Sequence, residues 1–150
     1  MIEKDNIENQ NQFLKDFELE VSKYDEFWNS YEKKDIWLEK SIRISIAARS
    51  MSNEISILFH KLMENQSVYD RAWKEFAAQK LLADLRREWD IEQLDEKFVI
   101  NALYVSAITF GFDKQPATFC VWFNASNVEY EHAVQIYGDI QGKIIRAGIE

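Results

Sequence analysis

The sequence predicts an α+β domain: a mostly antiparallel sheet with a two-helix hairpin packed on one face. Three observations carry that prediction. Two alternating runs, Ala133–Tyr137 and Lys143–Ile149, flank a polar loop ending in Gly142 and read as a β-hairpin. From Ser52 to Trp89 there is neither glycine nor proline, and helical periodicity runs through most of the stretch. Shorter alternating segments recur at 42–46, 104–110 and 118–123.

Residues 1–12 are polar and rich in Asn, Gln and Glu, which predicts a frayed lead-in to a single domain over 13–150. From Phe13 two periodicities compete. Phe13, Phe17, Val21, Tyr24 and Trp28 sit at helical steps, while Phe17, Leu19 and Val21 alternate with acids. A short helix giving way to a strand satisfies both. The charged segment Tyr31–Asp35 reads as a loop. After it, the run Ile36–Ala47 reads as one strand, with Ile42, Ile44 and Ile46 on its dry side.

Ser52 or Asn53 can cap a helix whose stripe is Ile55, Leu58, Phe59, Leu62 and Met63. Asn65-Gln66-Ser67 interrupts it. A second helix follows from Val68, with Trp73, Phe76, Ala77, Leu81, Leu85 and Trp89 along one face. The acidic connector 90–96 leads to a helical turn at 98–103, then the strand Tyr104–Phe110. The turn 111–116 carries the only proline. The strand Thr118–Phe123 and a loop over 124–130 lead into the terminal hairpin. Gly142 suits a loop residue at positive φ, which glycine adopts without strain.

The charge is −8, from 26 acids and 18 bases, and it is uneven. Residues 1–40 and 81–150 each carry eleven acids and six bases, whereas 41–80 carries four acids and six bases. Such a surface repels phosphate backbones, which argues against nucleic-acid binding, and attracts a basic protein. Simple solubility is the plainer explanation. No apolar run reaches the ~20 residues of a membrane span, and the N-terminus lacks the order of a secretory signal. A single cysteine, Cys120, forms no internal disulfide and suits a reducing cytoplasm.

Catalytic and metal chemistry finds little support in these residues. His60 borders an apolar helical stripe, and His132 precedes a strand beside Glu131. Two distant histidines make no zinc pattern, and no phosphate-binding or nucleophile-elbow motif occurs. No cofactor is expected. Asp95/Glu96 and Glu129/Glu131 could serve as acid–base pairs or magnesium ligands, but solvated surface is their default reading. Cys120 reads as a buried small hydrophobe, and a Cys120/His132 dyad across neighbouring strands is the sharpest enzymatic alternative, a hydrolase or transferase. Trp28 and Trp37 flank the charged loop and are candidate interface anchors, although core packing is favoured for all five tryptophans.

The helix Trp73–Leu85 with Trp89, and the hairpin residues His132, Val134, Ile136, Asp139, Gly142, Ile144, Ala147 and Ile149, together resemble a family of uncharacterised bacterial domains. The resemblance spans Ile36 to Glu150 and is most specific in the hairpin, where the family usually continues to a further glycine beyond the last strand. It implies a small cytoplasmic protein, similar in size and character to immunity proteins that accompany bacterial toxins delivered between cells. The expectation that follows is a non-enzymatic protein that blocks a cognate basic toxin domain of nuclease type. Its candidate contact residues are Asp84, Glu88, Asp90, Glu92, Asp95, Glu96, Glu129 and Glu131. A subunit of a larger assembly is a third expectation.

Overall fold

The computed structural model describes residues 23–128 and 132–150. The expected lead-in over 1–12 and most of the reading from Phe13 lie outside them, as do Glu129 and Glu131. Seven strands form one sheet in sequence order: β1 (Lys23–Asp25), β2 (Ser30–Trp37), β3 (Lys40–Ala47), β4 (Leu103–Phe110), β5 (Phe119–Ala125), β6 (Val134–Gly138) and β7 (Ile144–Ile149). Every neighbouring pair is antiparallel except β3 and β4. A parallel pair cannot be closed by a tight turn, and its crossover holds the helices α1 (Asn53–Glu64), α2 (Gln66–Glu88) and α3 (Glu96–Ala102). The fold is α+β, as expected, with three helices among the described residues.

Ser52 caps α1, its Oγ accepting the Ile55 N–H at 3.3 Å. The single residue Asn65 joins α1 to α2. The neighbours of α2 are chiefly α3, β6 and β7, with fewer contacts to α1. It ends without glycine: Asp90 takes φ +55°, its N–H reaches Arg87 O and the Ile91 N–H reaches Arg86 O at 3.1 Å. This is a Schellman stop with an aspartate in the left-handed position. Asp95 then caps α3 by accepting the Phe98 N–H at 2.8 Å.

Core and sheet meet on one face. Ile42, Ile44, Ile46, Ile108, Phe110, Phe119, Val121 and Phe123 are fully buried, and Phe59 of α1 and Trp73 of α2 meet Phe110 and Phe119 at ring separations of 6.1 and 6.0 Å. Burying each such side chain contributes about 1.5–3 kcal/mol. Trp37 belongs to this core and stacks on Trp73 at 5.2 Å. Trp28, by contrast, is 64% exposed on the turn after β1, so core packing does not hold for all five tryptophans.

Two sequence expectations are corrected. The charged segment Tyr31–Asp35 is not a loop but the middle of β2. Its alternation was hidden because Lys33 faces inward, its ammonium standing 5.6 Å from the centre of the Phe59 ring and pairing with Asp35 at 3.3 Å. The run Ile36–Ala47 is not one strand. It breaks at Leu38-Glu39, whose φ values of +45° and +72° make a two-residue hairpin turn without the usual Asn-Gly signal.

Candidate functional site

Six of the eight predicted contact carboxylates lie where α2 ends and α3 begins. Asp84, Glu88, Asp90, Glu92, Asp95 and Glu96 are all exposed. Their roles differ. Asp84 pairs with Arg87 at 3.2 Å, Asp90 ends α2, and Asp95 caps α3. Glu88, Glu92 and Glu96 make no ion pair among the described residues. Between α2 and β7, a cleft of about 430 Å³ is lined by Asp84, Glu88, Arg87, His132, Gly148 and Glu150. The fold thus gathers two predicted carboxylates, the exposed His132 and Glu150, which lie far apart in sequence.

Cys120 and His132 are not brought together. Cys120 points to the sheet face opposite the core, and its cross-strand partner is Tyr137. His132 lies five residues before Tyr137, about 16 Å along extended chain. Cys120 is 1% exposed. Burial, reinforced by the nearby charge of Asp113, pushes its thiol far above the ordinary range, against the pull of Tyr137 and Arg146. Burial likewise raises the Asp113 carboxyl, opposed by Arg146. Arg146 covers the Tyr137 ring at 3.9 Å, and the Tyr137 hydroxyl donates to Gln135 Oε1 at 2.9 Å. Cys120 is therefore packed and protonated, and His132 does not stand opposite it.

His60 is half-buried, edge-on to Phe59, in keeping with a boundary position. No group of three or more metal-ligating side chains occurs among the described residues. Among them, no helix is long and apolar enough to cross a membrane.

The terminal hairpin carries structural chemistry. Asp139 Oδ1 accepts the N–H groups of Gln141 and Lys143, each at 2.9 Å, and Gly142 sits at φ +88°. A model of a family described as uncharacterized proteins conserved in bacteria, DUF2262, matches residues 16–149. The chain belongs to DUF2262. No curated protein and no solved structure matches it. For this DUF2262 chain, two of the residues that carried the resemblance, Asp139 and Gly142, shape the hairpin turn.

Sequence reasoning missed a second cluster. Asp70 is 6% exposed in the apolar stripe of α2, one turn before Trp73. Its carboxylate accepts the Trp37 indole N–H at 3.0 Å and pairs with Lys74 at 2.8 Å. A hydrogen bond to a charged group contributes about 1.5–3 kcal/mol. The available signal was an acid in register with Trp73, Ala77, Leu81 and Leu85, followed four residues later by a lysine.

Proposed function

We propose that this DUF2262 protein is a non-enzymatic binding protein, an immunity protein that blocks a cognate basic toxin domain of nuclease type. The observation that carries the reading is the corner formed by α2, its connector and α3, where Glu88, Glu92 and Glu96 are exposed and make no ion pair among the described residues. Carboxylates already committed to capping or pairing offer less to a partner. These three are left for one. Asp84 and Glu88 extend the acidic surface into the α2–β7 cleft, where Glu150 adds another carboxylate.

Lysines and arginines that grip nucleic acid in such a toxin would meet these carboxylates, and the acidic surface would occupy the position of the phosphates. Charge of this kind raises association rates by about 10–10³-fold at low salt. Residence time would come from aromatic anchors, for which the exposed Phe27 and Trp28 are candidates. The cytoplasm is the setting this reading requires.

Co-expression with a toxin domain encoded beside this gene tests the reading. A stoichiometric complex and restored growth are expected. Absence of a neighbouring toxin gene, or no binding at micromolar concentration, overturns it.

A further inference from the structure

A cleft of about 250 Å³ opens where the β2–β3 turn, α2 and the start of β4 converge. Its lining includes Trp37, Lys40, Asp70, Lys74, Tyr104 and Ser126. We infer that this cleft is a binding site for a compact organic anion, whose carboxylate or phosphate group sits between Lys40 and Lys74.

Charge gives the sign of the ligand. Two lysines and one aspartate leave the cleft net positive in a chain of net charge −8. Asp70 is engaged at both oxygens, one taking the Trp37 indole and the other Lys74, so its charge is already offset within the protein. Lys74 is fixed at 2.8 Å from that carboxylate, and an ammonium carries three donors, which leaves two for a ligand. Its side chain is 17% exposed, so a ligand charge beside it is screened less than at open surface. Lys40 stands over the Tyr104 ring at 4.2 Å and has no carboxylate partner among the described residues.

The walls are fixed from outside the cleft. Gln66, at the first turn of α2, accepts the Leu38 N–H at 2.8 Å and donates to Ile36 O at 2.9 Å. That amide clamp holds the left-handed turn residues Leu38 and Glu39, which carry Trp37 and Lys40 at their flanks. Residues held in such conformations cluster where a precise arrangement is maintained by its surroundings. The volume sets the size. Pockets for drug-sized ligands run to about 300–1,000 Å³, so this cleft takes a smaller molecule, with Tyr104 available to its apolar part.

The test uses the whole chain with two probes, inorganic phosphate and succinate, titrated at constant ionic strength against chloride. The readout is the NMR signal of the Trp37 indole N–H, assigned by comparison with Trp37→Phe. A saturable shift is expected with at least one probe, and the responding probe tells a phosphate-bearing ligand from a carboxylate. Lys40→Glu should weaken the response at least tenfold, and Lys40→Gln should weaken it less. Lys40 is exposed, so both variants retain the fold, whereas Lys74→Met would strand buried Asp70. Absence of saturation with both probes overturns the inference. So does unchanged affinity in Lys40→Glu.

Discussion

Cys120 shows how a reactive residue type is silenced by its position. Buried beneath the cross-strand ring of Tyr137 and near the charge of Asp113, its thiol stays protonated. Native protein should resist iodoacetamide at neutral pH, and protein in urea should be alkylated fully; rapid native alkylation would contradict this account. The same burial has a pH consequence. The folded-state thiol pKa is raised, so between the unfolded and folded values the unfolded chain has lost the proton that the native chain retains. Stability falls as pH rises through that alkaline window, and Cys120→Ala should flatten the decline in denaturation midpoint against pH. Gly138 is a second residue fixed by contact: a Cβ there would overlap the Phe119 ring. Gly138→Ala should cost about 1–3 kcal/mol in urea unfolding, since Phe119 is fully buried and cannot retreat.

Elements differ in how openly their sequences announce them. The strands β3, β4 and β5 and the terminal hairpin were legible because alternation survived in their side chains. The β2–β3 hairpin was not, because Leu38 and Glu39 occupy a turn that normally recruits Asn-Gly. Leu38→Asn with Glu39→Gly should therefore raise unfolding free energy by about 1–2 kcal/mol, measured by urea denaturation. Asp90 belongs to the same class. As the left-handed stop of α2 it is a structural residue, so Asp90→Gly should preserve or raise stability. If it also leaves partner affinity within about twofold, Asp90 drops out of the contact set and the unpaired glutamates carry the recognition.

At the scale of the whole molecule, the sheet divides chemistry between its faces and edges. The apolar core, which Phe59 of α1 and Trp73 of α2 join, lies on one face, Cys120 points to the other, and the acidic corner sits at the far end of α2. The proposed recognition predicts a salt-dependent encounter. Replacing Glu88, Glu92 and Glu96 together by lysine should slow association with a basic partner by about 10–100-fold at low salt, with little change in dissociation. Stopped-flow rates across a salt series would check it. Equal rates for the variant and the parent chain would remove the corner from the mechanism.

Local patterning by itself determined the class of the fold, the α1 and α2 stripes, most strands and the family to which the chain belongs. Those features are written in residues near one another in sequence, where period and turn chemistry act directly. Tertiary structure alone decided that Lys33 faces inward, that Tyr137 and not His132 stands opposite Cys120, and that Asp70 meets Trp37 across 33 residues. Each of these depends on strand register or on a helix meeting the sheet. Burying charged and hydrogen-bonding groups costs free energy unless they meet partners, and partners distant in sequence are what no local pattern encodes.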